Sequence, residues 1–370
     1  MKVLIIQETA IRFDACFVQH LRRAGVEVRF LYKSPAAGAA QPQPGFPADF
    51  LPLRGRLDFR SLLGLRKIIH KSKPDVIHAR AAKSCFLAVI AQWPRKRARL
   101  VFLRGALRDL NPFSPSDRLL FRSRWVDVFQ CVSQAIADSL VCAGIPAGRV
   151  AVAADRGYES AWFEDLPVPL ELAVKPRRHR IGAIANYRKV KGLEHLVRAM
   201  DILVERGVDL ELVWVGKDKN PGLAAYVQQA KARDSIRMLG SVPSPWGILK
   251  TFDCLVVPSI SEGLGLVAIE SMACGVPVVA SRVGGLAETV QHGRNGLLVS
   301  PANPVELADA IQRLLTDHSL AEEIRRHGSE TFQERFTAEK VSEQFLKIYR
   351  QAMATTNRPP LITRTNIFPA

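Results

Sequence analysis

At 370 residues with 48% hydrophobic content, the chain is too long for one ordinary core and is read as two domains, at roughly 100–200 residues each. No stretch approaches the ~18 consecutive apolar residues of a membrane-crossing helix, and six cysteines without a CxxC pair or zinc-finger histidine spacing exclude a disulfide scaffold and point to a reducing compartment. The outlier is a formal charge of +17, with basic clusters at Arg22-Arg23, Arg54/Arg56/Arg60, Arg66-Lys67, Lys71/Lys73, Arg95-Lys96-Arg97/Arg99 and Arg118/Arg122/Arg124, all in the first half, which implies an anionic partner there.

The chain opens on Val3 to Ile6, an apolar run too short for a secretion signal and met at once by Gln7-Glu8, so it reads as a first strand of a cytoplasmic protein. Phe13, Cys16, Phe17 and Leu21 recur at helical spacing and stop at Gly25; Val26 to Tyr32 is the next strand. A Pro-, Gly- and Ala-rich loop, Ser34 to Pro47, precedes a helix from Leu62 to His70. Pro74 to His78, Leu100 to Leu103 and Val126 to Val132 read as buried strands, with a helix from Cys85 to Trp93 after the first and one from Gln134 to Cys142 after the last. Such alternation argues for a doubly wound parallel sheet.

Proline and charge without periodicity mark a linker over 167–178, so the first domain is expected to span 1–166. Alternation then restarts: strand Ile181 to Ala185, helix Leu193 to Arg206, strand Leu210 to Val215, helix Leu223 to Arg233, strand Ile236 to Leu239. Helices from Pro304 to Leu315 and Ala321 to His327 close a second domain over 179–335. The stretch 336–353 suits a helix packing back across both domains, and the proline-bearing tail over 354–370 reads as poorly ordered.

The most informative stretch runs from Cys254 through Pro258 to Ala280. A buried strand ends at a proline, a loop carries Glu262, Gly263 and Gly265, and a helix opens near Leu266 with Glu270 about two turns past Glu262. Glycines let backbone approach a ligand closely, and a helix N-terminus with free N–H groups suits phosphate. A second loop, Ala185 to Gly192, holds Arg188, Lys189 and Lys191 ahead of a helix, where cations and N–H groups would converge on a diphosphate.

Glu262 and Glu270 separated by Gly-Leu-Gly-Leu-Val-Ala-Ile, with Cys274 to Ser281, Gly284-Gly285, Glu288, Gly296 to Val299 and Lys191-Gly192, resemble retaining glycosyltransferase family four, including bacterial lipopolysaccharide and surface-glycan enzymes. The resemblance implies a GT-B fold, two Rossmann-like domains facing a cleft, with donor in the second and acceptor in the first. It implies that Glu262 meets donor-sugar hydroxyls, and that Gly263, Leu264, Gly265 and Leu266 offer N–H groups to sugar and distal phosphate. Glu270 would accept from the ribose, Lys191 would neutralise the departing diphosphate, and Asn186 and Arg188 would line the donor. It further implies no cofactor and no metal, a nucleotide-diphosphate sugar (uridine over guanosine) as co-substrate, and a glycan or glycolipid acceptor at an anionic membrane.

Departures fall mostly on the acceptor side. Ala185-Asn186 stands where the family often has Gly-Arg, which leaves Arg188 as the substitute cation. Arg104-Gly105 stands for a His-Gly; Arg104 is placed among the catalytic candidates, although a guanidinium cannot act as a base. Arg156-Gly157-Tyr158 replaces an Asn-Gly, and Thr9 to Arg12 a glycine-rich loop.

Three rival readings compete with this one. Gly263, Gly265 and Ala268 loosely fit a dinucleotide fingerprint, but the required acid is displaced to Glu288, beyond Ser281-Arg282. A polyanion-binding protein explains the basic half and leaves the paired glutamates unexplained, since carboxylates repel a nucleic-acid backbone; no nucleic-acid partner is expected. A sugar-nucleotide epimerase or phosphorylase shares the fold. His78, His195 and His292 read as structural, and Trp246 as packed rather than lining a base pocket.

Overall fold

The structure, a computed structural model, describes the chain except residues 35–45, 53–57, 94–95, 108–119, 122–124, 165, 170–171, 173–177, 219–221, 243 and 356–370. Arg54, Arg56, Arg95, Arg118, Arg122 and Arg124, most of the Pro/Gly/Ala loop, much of the linker and the tail therefore lie outside the described residues. The chain divides into two compact units: Met1–Tyr158 joined by the segment from Ala338, and Glu159–Thr337.

The first unit holds strands β1 (Lys2–Gln7), β2 (Glu27–Tyr32), β3 (Ala48–Phe50), β4 (Val76–Ala79), β5 (Arg99–Arg104), β6 (Val128–Cys131) and β7 (Val150–Val152). They form one seven-stranded sheet in the order β3-β2-β1-β4-β5-β6-β7, with every pair parallel. Helices α1 (Phe13–Arg23), α2 (Phe59–Ser72), α3 (Ala82–Ala91) and α4 (Gln134–Cys142) supply the crossovers. Every residue of β4 and β6 is buried, as strands covered on both faces require.

The second unit places β8 (His179–Ile184), β9 (Leu210–Val215), β10 (Ile236–Gly240), β11 (Cys254–Val257), β12 (Val278–Ser281) and β13 (Leu297–Val299) in the order β10-β9-β8-β11-β12-β13, again all parallel. Its helices are α5 (Leu193–Glu205), α6 (Gly222–Gln228), α7 (Trp246–Leu249), α8 (Leu266–Ala273), α9 (Leu286–Thr289), α10 (Pro304–Thr316) and α11 (His318–Arg335). The last helix, α12 (Ala338–Ala354), belongs with the first unit. Its Phe345 meets the rings of Phe17 at 4.9 Å and Phe13 at 6.5 Å, and the Ala338 N–H donates to the Tyr158 carbonyl at 2.8 Å.

Several boundaries differ from the sequence reading for identifiable reasons. The units part at Tyr158 rather than at 166, because Trp162 stacks on Trp246 at 6.3 Å and Phe163 packs edge-on to Phe332 at 5.7 Å, which ties this stretch to the second unit. Helix α2 starts earlier, at Phe59, because Asp58 caps it by accepting from the Arg60 N–H. Helix α11 is likewise longer than the expected 321–327, capped by Asp317, which accepts from the Leu320 N–H. Helix α6 is shorter than expected, ending at Gln228 before a 3-10 turn at Arg233–Ser235. Strands β3 and β13 have only three residues each, too short for a periodicity to register.

All six cysteines are free; Cys85, Cys131 and Cys254 are buried while Cys142 is exposed. Among the described residues no helix is long and apolar enough to cross a membrane.

Candidate functional site

In an open parallel sheet the ligand crevice forms at the carboxyl ends of the strands, where the strand order reverses direction. In the second sheet that point lies between β8 and β11. The two loops leaving these strands are the basic loop Ala185 to Gly192 and the glutamate loop Pro258 to Gly265, so the topology brings together two segments about seventy residues apart in sequence.

The loops are joined by direct contacts. The Lys191 ammonium donates to Glu262 Oε2 at 2.6 Å, and the Ser259 hydroxyl donates to the same oxygen at 3.2 Å. Both partners of the ion pair keep part of their surface, 20% for the Lys191 side chain and 18% for Glu262, so a ligand can reach them. The Ile260 N–H donates to the Val190 carbonyl at 2.8 Å, lacing one loop to the other. Glycine is required at the seam: Gly192 has φ +63, and a Cβ there would fall 2.1 Å from the Pro258 carbonyl oxygen.

The glutamate loop is anchored from below. Gly265 adopts φ +81 at the start of α8, and a Cβ on it would meet Leu286 at 2.5 Å. The Gly285 N–H donates to the Glu262 carbonyl at 3.2 Å, and Thr289 Oγ1 donates to the Leu264 carbonyl at 2.8 Å. The short helix α9 thus fixes the loop that leads into the α8 N-terminus. A preset loop of this kind presents backbone N–H groups and the positive end of a helix to an anion without rearrangement.

Of the expected donor residues, Lys191, Glu262, Gly263, Leu264, Gly265 and Leu266 converge at this switch point, and Glu270 lies on α8 beyond it. Asn186 Oδ1 accepts from the Lys217 N–H at 2.9 Å, so its side chain closes the loop after β8. Arg188 is exposed at the start of the turn Lys189–Lys191. Arg104 ends β5 in the first unit, its guanidinium 5.4 Å from the Phe121 ring centre. Sequence reasoning missed Ser259, which is buried against Glu262; its only signal was its place directly after the proline that ends β11. Trp246 sits in α7, stacked with Trp162, and His292 Nδ1 accepts from the Leu298 N–H at 3.0 Å; both are packing residues.

The first sheet reverses between β1 and β4, and there the polar groups are engaged with one another. Asp14 Oδ2 accepts from Gln7 at 2.7 Å, from the Tyr32 hydroxyl at 2.9 Å and from the Ile11 N–H at 2.9 Å. Burial outweighs these donors and pushes the Asp14 carboxyl up to about 6. Arg80 donates to Gln7 at 3.2 Å and to Asp155 Oδ1 at 2.6 Å, and Arg156 donates to Asp155 Oδ2 at 2.9 Å. Burial alone would raise the Asp155 carboxyl, but the two guanidinium charges together hold it well below the usual carboxylate range. His78 meets the Tyr349 hydroxyl at 3.0 Å, and burial followed by the nearby Arg80 charge lowers it to about 3, so it is a neutral core residue.

Among the described residues no group of three or more His, Cys, Asp or Glu is placed to hold a metal ion. Two all-parallel α/β units are the make-up of a GT-B fold, and the second carries a lysine–glutamate pair at its switch point. A family model for glycosyltransferase family 4 matches residues 16–154, and one for glycosyl transferases group 1 matches residues 178–317.

Each unit of the chain thus matches a glycosyltransferase family model. An uncharacterized glycosyltransferase of Methanocaldococcus jannaschii is 31% identical over 201 residues, 54% of this chain and 51% of that protein. The match thus spans about half the length of that relative. The Staphylococcus aureus capsular polysaccharide biosynthesis glycosyltransferase CapM is 21% identical over 308 residues, 79% of this chain and 80% of its own length. Anabaena HepE, solved in complex with UDP-glucose, superposes with a TM-score of 0.77 at 21% identity, covering 94% of this chain and 98% of that one, and so shares the fold.

Proposed function

We propose that the protein is a metal-independent, retaining glycosyltransferase that moves a sugar from a nucleotide diphosphate, with uridine favoured over guanosine, to a glycan or lipid-linked acceptor of lipopolysaccharide or surface polysaccharide synthesis at an anionic membrane face. One observation carries the reading: the Lys191–Glu262 pair, partly accessible, lies where the second sheet reverses and where α8 opens on a glycine. UDP-glucose bound by a protein of the same fold supports a nucleotide-sugar donor, and the likeness to CapM supports a surface-polysaccharide acceptor.

In this reading the donor exchanges partners within the pair. Its diphosphate takes Lys191, with Arg188 and the α8 N-terminus beside it, and its sugar hydroxyls take Glu262, while Glu270 accepts from the ribose. The bond between the anomeric carbon and the distal phosphate oxygen breaks, and an acceptor hydroxyl oxygen, passing its proton to the departing phosphate oxygen, bonds to the anomeric carbon with configuration kept. Positive charge develops at the sugar as negative charge leaves on the diphosphate. A preset carboxylate on one side and a cation with N–H donors on the other stabilise both, so these groups do the work a metal would do. Arg104, at the end of β5, serves the acceptor side as a fixed charge.

The test is thermal unfolding with UDP, GDP and ADP and with EDTA present. A ligand held at about 100 times its dissociation constant adds about 2.7 kcal/mol to the folded state. UDP is expected to raise the melting temperature most. If no nucleoside diphosphate raises it, the donor assignment fails; if binding or transfer vanishes with EDTA, the metal-independent part fails.

A further inference from the structure

Helix α2 has an outward face that the donor site does not use. Its inner side, Ser61, Leu65 and Ile69, is buried in the first unit. Outward, Phe59 is 76% exposed and Leu63 62% exposed, one turn apart on the same stripe. Arg60, Arg66, Lys67, His70 and Lys71 are exposed around them, and at ~100° per residue these positions share one arc of roughly 140°. The helix contains no aspartate or glutamate.

A third apolar group is held beside this face. The Arg66 guanidinium donates to the carbonyls of Ala91, at 3.1 Å, and Trp93, at 2.6 Å, which fixes the end of α3 against α2. Trp93 is itself 62% exposed. Large exposed apolar side chains at one place on a folded surface mark an interaction site rather than chance, and among the described residues of α2 every exposed ionisable side chain around them is basic, the capping Asp58 lying just before the helix.

We infer that the outward face of α2, with Trp93, docks the protein on a bilayer carrying anionic phospholipid. This deepens the membrane-associated acceptor proposed above and rests on that reading. The charge complements acidic head groups, and Phe59, Leu63 and Trp93 are of the kind that enters the boundary between head groups and acyl chains. A nucleic acid would satisfy the cations but would leave Leu63 in water, so the lipid surface is the better fit.

The test is co-sedimentation of the full chain with phosphatidylcholine vesicles, with and without about one-third phosphatidylglycerol, at low and high salt. The wild type is expected on the phosphatidylglycerol vesicles, partly released by salt. Phe59→Ser with Leu63→Ser is expected to lower retention about tenfold. Arg60→Glu with Lys67→Glu is expected to lower it at least as far and to remove the preference for phosphatidylglycerol. Both double variants keep the thermal shift with UDP, which shows that they fold.

Equal retention of wild type and variants, or no retention of the wild type, overturns the docking surface. So does binding of a single-stranded oligonucleotide, lost in the same variants, by a chain that ignores vesicles. Loss of the UDP shift in the wild type is a separate failure, that of the donor reading.

Discussion

The two units share one architecture, yet their switch points are used in opposite ways. At the second, between β8 and β11, Lys191 and Glu262 sit on loops and form an ion pair whose side chains stay 20% and 18% exposed, with Ser259 buried beside Glu262. At the first, between β1 and β4, the groups are mostly drawn inward: Asp14 is 2% exposed and accepts three hydrogen bonds, and the Arg80 side chain is 8% exposed and bonded to Gln7 and to Asp155, which keeps 19% of its side-chain surface. An open edge can exchange its partners for a ligand's. A mostly closed one binds its residues to each other, so they act on stability, although Asp14 Oδ1 stays buried without a hydrogen-bond partner.

That contrast can be broken experimentally. The largest expected effect is on turnover: Glu262→Ala should lower the transfer rate about 10²–10³-fold, the scale set by losing a preset group that meets developing charge. Its melting temperature should move little, because a partly exposed pair contributes only about 0–1 kcal/mol. A rate within a few-fold of wild type would remove Glu262 from the site.

Next comes Arg80→Ala, which leaves Asp155 with Arg156 alone in a buried setting. Breaking one partner of a buried pair costs about 3–5 kcal/mol, reduced here by the remaining guanidinium, and urea unfolding would read it as a lower midpoint. UDP binding should be unchanged, since the network belongs to the first unit; an intact midpoint would show that this edge is as open as the other.

Gly192→Ala probes the seam between the two loops of the second unit. A Cβ 2.1 Å from the Pro258 carbonyl, on a left-handed backbone, must displace that strand end, for a cost of about 1–3 kcal/mol. The weakened UDP shift should exceed what the lost stability explains, because Lys191 precedes this residue. Unaltered UDP affinity would mean that the loops are not coupled through Gly192.

The most gradual effect is a pH dependence. Asp14 is raised from 3.8 to about 6, so its protonated form stabilises the fold fully below about pH 4, and that contribution is lost as pH rises through 6. It amounts to about 3 kcal/mol at most. His78 acts oppositely, since its lowered value makes stability fall as pH drops below 6.5. The comparison is therefore Asp14→Asn against wild type, in which the His78 contribution cancels: the variant should gain relative stability between pH 4 and 6.5. A flat difference would show that Asp14 is not held as this network holds it.

Much of the second unit was legible because its chemistry is local. Cys254 to Val257, the proline, Glu262, the two glycines and the apolar helix follow one another in sequence, and backbone preference alone sets strand, loop and helix. The Lys191 loop was legible for the same reason, as cations ahead of a helix. The first unit's network was not: Gln7, Asp14, Tyr32, Arg80 and Asp155 carry no common spacing, and each looks like an ordinary polar residue near a strand end. Ser259 was missed because a serine after a proline reads as loop punctuation until the carboxylate beside it is seen.

The amino-acid sequence by itself determined two parallel α/β units, the glutamate loop and a basic first half, since hydrophobic periodicity, glycine placement and charge are properties of neighbouring residues. Only the tertiary structure decided that Lys191 lies 2.6 Å from Glu262, that α12 returns to the first unit, and that Phe59, Leu63 and Trp93 stay exposed, with Arg66 tying the Trp93 backbone to α2. Those facts depend on strand order and on which side of each helix is buried, and no local stretch of chain encodes either.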